Sequence, residues 1–202
     1  MTVTAIILAA GFSTRMGTPN KLLQSVGAEP VLRGVVRAAL AVCTTPPLVV
    51  LGHEAADVRA SIADLLVRFT VNPDPAQGQA SSVRRGLAEV EDAETTLVML
   101  GDQPFLTADD LRALLDAHDA HGASRITVPM RGTDRGNPIA IPAALRREIQ
   151  SSGRNVGCGS FTRKNPDLTH PFHTDAPGFF VDIDTPDDLN AARATARGLA
   201  LS

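Results

Sequence analysis

The chain has 202 residues, of which 44% are hydrophobic, and its 19 basic and 22 acidic residues give a net charge of -3. This composition is ample for the core of one large or two small α/β domains and excludes a disordered chain. The charge gives no electrostatic reason to expect nucleic acid binding, and the only cysteines, Cys43 and Cys158, exclude a disulfide framework and a multi-cysteine metal site.

The opening segment has none of the features of a targeting or membrane-spanning sequence. No basic region precedes its apolar run, which breaks at Gly11 after about seven residues, too few for a signal peptide or a membrane span. We therefore expect a cytoplasmic protein without a membrane or nucleic acid partner.

The first predicted elements alternate between strand and helix. Val3–Ala9 is a short, continuous apolar run, typical of a strand that is buried on both faces. Residues 30–43 have apolar side chains at helical spacing, with Pro30 suited to the first turn. The alternation continues through residues 48–51 (strand), 54–66 (helix), 69–71 (strand), 80–90 (helix) and 95–100 (strand).

The second half begins with a helix that Thr107 caps, with Asp110 at the capping-box position, and that extends to His118. The remaining predictions are residues 125–130 (strand), 131–138 (glycine-rich turn facing the substrate), 139–141 (return strand), 151–174 (loops with short strands) and 187–196 (helix). Helices between strands imply parallel crossovers, so we predict a single doubly wound, Rossmann-like α/β domain with a mostly parallel sheet. Its ligand crevice should lie at the carboxyl ends of the strands, where four of the predicted strands are followed by Gly11, Gly52, Asn72 and Gly101.

A loop rich in small residues follows the first strand, from Leu8 to Gly17, with Lys21 shortly after it. Small residues allow backbone N–H groups to approach a phosphate or a base, and Arg15 and Lys21 would supply positive charge to a triphosphate. The segment has neither the P-loop nor the dinucleotide motif. Its residues alone are therefore also compatible with a glycine turn and solvated cations.

Three acidic residues follow apolar segments near the predicted crevice. Asp102 comes directly after the strand at 95–100 and is placed either to hold Mg2+ or to cap a turn. Asp182 and Asp184 precede the predicted helix cap Thr185, and in an extended segment they would point to opposite faces. We therefore expect at most one of these two to reach a metal ion.

Together these segments resemble the molybdenum cofactor nucleotidyltransferases. The motifs that occur in the family's order and spacing are the glycine loop through Lys21, Asn72-Pro73 with residues 78–84, residues 101–104 and residues 182–186. The Leu-Ala-Ala-Gly and Gly-Asp-Gln-Pro forms of the first and third motifs resemble the cytidylyltransferase (CTP:molybdopterin) branch. Residues 152–159 depart from the family pattern, which has an acidic Gly-Asp-x-Gly-Ala-Arg-type segment there.

The resemblance implies transfer of CMP from CTP to the phosphate of molybdopterin, with release of pyrophosphate. It assigns the nucleotide to residues 1–105 and the acceptor to residues 106–202, with an apo molybdoenzyme as a possible recipient of the product. The implied catalytic residues are Arg15, Lys21 and Asp102, and the implied Mg2+ ligands are Asp102 and Asp184. The implied nucleotide-binding residues are Leu8, Ala9, Ala10, Gly11, Ser13, Gly17, Lys21, Gln79, Ser81 and Gly101.

Other functions stay open at this point. A GTP-dependent guanylyltransferase, or a nucleotidyltransferase for another phosphorylated acceptor, would use the same motifs. A noncatalytic cofactor carrier would keep the crevice without needing the acids. A nicotinamide-dependent oxidoreductase is disfavoured because the chain lacks G-x-G-x-x-G after the first strand.

Overall fold

The computed structural model describes residues 1–17, 20–90, 93–151 and 157–199. Its first half contains β1 (Val3–Ala9), β2 (Ser25–Val26), β3 (Glu29–Pro30), α1 (Val31–Leu40), β4 (Leu48–Leu51), α2 (Ala55–Ala60), β5 (Arg68–Val71), α3 (Gln79–Leu87) and β6 (Thr95–Leu100). Its second half contains α4 (Ala108–Ala120), β7 (Ile126–Arg131), β8 (Asp134–Arg135), β9 (Ile139–Pro142), α5 (Ala143–Ser151), α6 (Cys158–Lys164), β10 (Thr169–His173) and α7 (Pro186–Leu199).

One mixed sheet organises the domain, with strand order β10-β7-β9-β6-β1-β4-β5 and β8 paired to β7. The central strand β1 runs parallel to β4 and β6, and β4 runs parallel to β5. The strand β9 is inserted antiparallel between β6 and β7. The single α/β domain with a mostly parallel sheet is therefore confirmed.

Two apolar layers cover the sheet. The layer on one face combines β1 and β6 with α1 and α4, and it includes the buried residues Ile7, Leu32, Val36, Met99, Leu111 and Leu114. The layer on the other face combines the sheet with α3, α5 and α6, and it includes Ile6, Val50, Val83, Leu145 and Phe161. Within the described parts of the chain, no helix is both long and apolar enough to cross a bilayer.

The helix α4 begins as its sequence predicts. The hydroxyl of Thr107 accepts a hydrogen bond from the backbone N–H of Asp110 at 3.1 Å, and the Asp110 carboxylate accepts one from the N–H of Thr107 at 2.9 Å. The same reciprocal arrangement joins Thr185 and Asp188 at the start of α7. Both caps satisfy backbone donors that would otherwise lack partners.

Two parts of the chain differ from the prediction. The helix predicted over 54–66 is only α2, which ends at Ala60 and is preceded by Glu54 in the left-handed region at φ 52°. The segment 151–174, predicted as loops with short strands, contains the short strand β10 but also the helix α6, and the helix α5 was not predicted. The helix α6 has only seven residues, too few for a visible period, and tertiary packing of Phe161 against the sheet stabilises it. Residues 152–156 of the departing segment lie outside the described residues.

Candidate functional site

The loop after β1 forms two short 3-10 turns, which position Lys21. Ser13 adopts the left-handed region at φ 51° before the turn Thr14–Met16. The buried carboxamide oxygen of Asn20 accepts a hydrogen bond from the N–H of Leu22 at 3.0 Å and caps the turn Lys21–Leu23. Ser13 supports this arrangement, because its hydroxyl donates to the same oxygen at 3.3 Å.

The end of β6 lies directly against the end of β1. The N–H of Gly101 donates to the carbonyl of Leu8 at 3.0 Å, and a Cβ at position 101 would lie only 2.9 Å from that oxygen. A glycine is needed here because the two backbones approach so closely. As a result, Asp102 leaves β6 beside the loop that follows β1.

The segment before α7 is anchored to the same place through Ile183. Its N–H donates to the carbonyl of Asp102 at 3.1 Å, and its side chain is fully buried with Met16, Val31 and Leu189. Because Ile183 is fixed at the end of β6, both of its acidic neighbours lie close to Asp102.

One carboxylate oxygen from each of Asp102, Asp182 and Asp184 lies within 4.8 Å of the other two. The expectation that at most one of the latter pair reaches this point is therefore not met. It assumed an extended strand, but residues 181–184 are not in a strand, so the alternation of faces does not apply.

Two cations partner the acids. The Lys21 ammonium lies 2.5 Å from Oδ2 of Asp102 and 2.8 Å from Oδ1 of Asp184, and the Arg15 guanidinium lies 3.0 Å from Oδ2 of Asp184. Burial alone would lower the pKa of Lys21, but the charges and hydrogen bonds of Asp102 and Asp184 together raise it above its ordinary value of 10.5. The residues that sequence analysis assigned to phosphates thus pair with the candidate metal ligands in this state.

The acidic cluster fits a hard divalent cation. Burial, and then repulsion by the charges of Asp102 and Asp184, raise the pKa of Asp182 above its ordinary value of 3.8. A cation between the three acids would relieve this repulsion. Oδ1 of Asp102 is buried and accepts no hydrogen bond from any described residue, which leaves a free oxygen ligand. Carboxylate oxygens are the ligands that Mg2+ prefers.

A cavity of about 270 Å³ adjoins the cluster. Five of the residues expected to bind nucleotide or metal line it, namely Leu8, Ala10, Gly11, Gln79 and Asp102. Its wall also includes Phe12, Pro75, Gly78, Ser82 and Leu100, which sequence analysis did not propose. The expected residues that are not among its lining residues are Ala9, Ser13, Gly17, Lys21, Ser81, Gly101 and Asp184. A second cavity of about 400 Å³ shares Leu8, Gln79 and Leu100 with it.

The serine at the cavity wall is Ser82 and not Ser81. The Ser81 hydroxyl donates to the carbonyl of Gly78 at 2.8 Å and accepts from the amide of Asn72 at 2.7 Å. Ser81 therefore holds the turn that precedes α3. Sequence spacing alone did not distinguish these adjacent serines, because the rotation of α3 relative to the sheet decides which one faces the cavity.

Comparison with known proteins relates this arrangement to a family. The family model described as "MobA-like NTP transferase domain" matches residues 5–168. The bifunctional protein GlmU of Streptococcus equi subsp. zooepidemicus is 39% identical over 117 residues, which are 56% of this chain and 25% of GlmU. The chain thus spans about a quarter of the length of this relative.

Solved structures share nearly the whole fold. A nucleotidyl transferase from Methanothermobacter thermautotroptrophicus superposes with a TM-score of 0.85 at 22% identity, covering 98% of this chain and 99% of that one. The homologue of Mycobacterium tuberculosis rv0371c from Mycobacterium sp. strain JC1 superposes with a TM-score of 0.82 at 26% identity, covering 98% of both chains. These likenesses show the fold, and the match over residues 5–168 shows that the chain belongs to the MobA-like NTP transferase domain family.

Proposed function

We propose that the protein transfers CMP from CTP to the terminal phosphate of molybdopterin and releases pyrophosphate. The observation that carries the proposal is the acidic cluster of Asp102, Asp182 and Asp184, which lies beside Lys21 at the cavity that the β1 loop lines. Family membership supports nucleotidyl transfer. The sequence motifs support CTP as the donor and molybdopterin as the acceptor.

Catalysis in this proposal depends on positioning and on charge. A phosphate ester needs no general base at neutral pH, because it is already an anionic nucleophile. Lys21 and Arg15 lie beside the acids, from where their charges can stabilise the triphosphate and the leaving pyrophosphate. Asp102 and Asp184, with Asp182 as a third ligand, would hold Mg2+, and this ion would supply further neutralisation of the phosphates.

The two halves of the domain divide the substrates in this proposal. Residues 1–105 contribute the small cavity, in which Ala10, Gly78 and Ser82 surround the space for the base. Residues 106–202 contribute β8, β9 and α6, which form much of the second cavity. We assign this second cavity to the acceptor, and an apo molybdoenzyme would receive the product.

A direct assay separates this function from the alternatives. We expect pyrophosphate release when CTP, Mg2+ and molybdopterin are added together, and a strong preference for CTP over GTP in competition. Preference for GTP would contradict cytidylyl transfer and favour the guanylyltransferase alternative. Tight molybdopterin binding without pyrophosphate release from either nucleotide would contradict an enzyme and favour a carrier.

A further inference from the structure

Two neighbouring cavities, together called the chamber, lie beside β8, and the larger one borders the nucleotide cavity at Leu8, Gln79 and Leu100. Its main part is the cavity of about 400 Å³, and a neighbouring part of about 330 Å³ shares Leu100, Arg135 and Asn137 with it. The neighbouring part is lined by Asp182 of the acidic cluster. The chamber therefore borders both the nucleotide cavity and the acidic cluster.

The main part of the chamber has an apolar floor and a positive wall. Val83, Val98, Val128 and Ile139 belong to the floor. Arg135 and Arg163 are its charged lining residues, and no carboxylate lines this part among the described residues.

The two guanidinium groups lie close enough to affect each other. Desolvation, and then the positive charge of Arg163, lower the pKa of Arg135 below its ordinary value. Neither arginine forms an ion pair with an acid in the described part of the chain, whereas Arg131 nearby lies 3.7 Å from Asp134 and stacks on Phe180 at 4.4 Å. The pair therefore has an uncompensated charge that an anion would neutralise.

The backbone around Arg135 is held firmly. The N–H of Gly136 donates to the carbonyl of Pro129 at 2.8 Å, and the side-chain amide of buried Gln103 donates to the carbonyl of Asn137 at 2.8 Å. The Arg135 guanidinium itself donates to the hydroxyl of Thr162 at 2.7 Å, which joins β8 to α6. A cation fixed in this way loses less conformational entropy when it binds a ligand.

We propose that Arg135 and Arg163 form an oxyanion subsite for the acceptor. This inference rests on the proposed function, since it assumes that the chamber receives the acceptor. It specifies that the acceptor presents a phosphate or another oxyanion to this pair, while its less polar body lies on the apolar floor. The planar forks of two arginines suit an oxyanion with several acceptor atoms.

The test measures the binding of inorganic phosphate, which requires no turnover. In NMR spectra of the arginine Nε–H groups, recorded with saturating CTP and Mg2+, phosphate should shift the signals of Arg135 and Arg163 saturably. The signal of Arg147, an exposed arginine on α5, should not move. Arg135→Gln should weaken the binding observed at Arg163 by about tenfold or more, Arg163→Gln should do the same at Arg135, and Arg147→Gln should have no effect.

Unmoved signals of Arg135 and Arg163, or wild-type phosphate affinity in both glutamine variants, would overturn the subsite. Unchanged unfolding midpoints check that the variants are folded, and Arg135→Lys should restore part of the affinity because it retains the charge. The kinetics of the two glutamine variants with molybdopterin as acceptor then identify the bound group. A rise only in KM for molybdopterin assigns the oxyanion to a group remote from the reacting phosphate. A fall in kcat assigns it to the reacting phosphate itself. Phosphate binding at the pair without any nucleotidyl transfer would contradict the proposed function and leave the subsite standing.

Discussion

Replacing Lys21 should change metal binding and turnover in opposite directions. In the absence of nucleotide, the Lys21 ammonium lies 2.5 Å from Asp102 and 2.8 Å from Asp184, so it competes with a divalent cation for both acids. Lys21→Met keeps the aliphatic stem and removes only the charge. We expect the variant to bind Mg2+ or Mn2+ more tightly than the wild type does, yet to turn over far more slowly.

The size of the effect follows from burial and distance. Two unit charges about 4 Å apart attract by about 1 kcal/mol in water and by about 4 kcal/mol at an effective dielectric constant of about 20. The side chains of Lys21 and Asp102 are only 13% and 15% exposed, but Asp184 is 31% exposed and is better screened by solvent. We therefore expect the binding free energy of the metal ion to become more favourable by about 1–2 kcal/mol, which corresponds to an increase in metal affinity of about five- to thirtyfold.

The assay is a titration of the nucleotide-free protein with Mn2+, followed by electron paramagnetic resonance, with Lys164→Met as the matched control. Lys164 is the only other lysine of the chain and is exposed at the end of α6. The control should keep wild-type metal affinity and wild-type turnover. Weaker Mn2+ binding by Lys21→Met would refute the competition, and unchanged turnover would refute the assignment of Lys21 to the phosphates.

Three further changes test the site and the fold. Asp102→Asn should abolish turnover and leave the unfolding midpoint near that of the wild type, because the amide keeps the shape but loses the charge; turnover within threefold of wild type would exclude the role. Ala10→Gly should weaken the preference for CTP over GTP in a competition assay by about 1–3 kcal/mol, since the loop gains space and freedom beside the base; an unchanged preference would mean that Ala10 does not read the base. Burial of His118 lowers its pKa below the ordinary value of 6.5; the charge of Asp119 opposes this shift in part, and His170 adds a smaller contribution to it. The free energy of unfolding in denaturant titrations should therefore decrease as the pH falls below about 6.5, where the unfolded chain takes up the proton more readily. His118→Gln should flatten this decrease, and an equal pH slope in the variant would rule out His118 as its source.

Continuous apolar segments made much of the sheet predictable. The bounds of β1, β4 and β6 match the expected strands, because strands buried on both faces have an unbroken apolar sequence that ends at a turn residue. The cap at Thr107 was equally predictable, since its hydrogen bonds involve residues only three positions apart. Local sequence was sufficient wherever the stabilising contacts were themselves local.

Contacts between distant segments were not predictable in the same way. Asp182 reaches the acidic cluster because Ile183 is hydrogen-bonded to Asp102, about eighty positions away in the chain. The ion pairs of Lys21 likewise depend on how the β1 loop faces the segment before α7. Sequence motifs predicted that Lys21, Asp102 and Asp184 belong to one site, but the inclusion of Asp182 and the partner of each charge depended on tertiary packing.

The reversed direction of β9 brings the beginning of one strand to the edge where β6 and β7 end. The segment from Arg135 at the end of β8 to Asn137 leads into β9 at this edge, so it lines the chamber although it precedes a strand. This segment is separated by β6 from the paired strands β1, β4 and β5. An insertion or exchange in this segment can therefore reshape the chamber while β1, β4 and β5 keep their register. Under the proposed function, this is the place at which acceptor specificity could be changed without disturbing the nucleotide cavity.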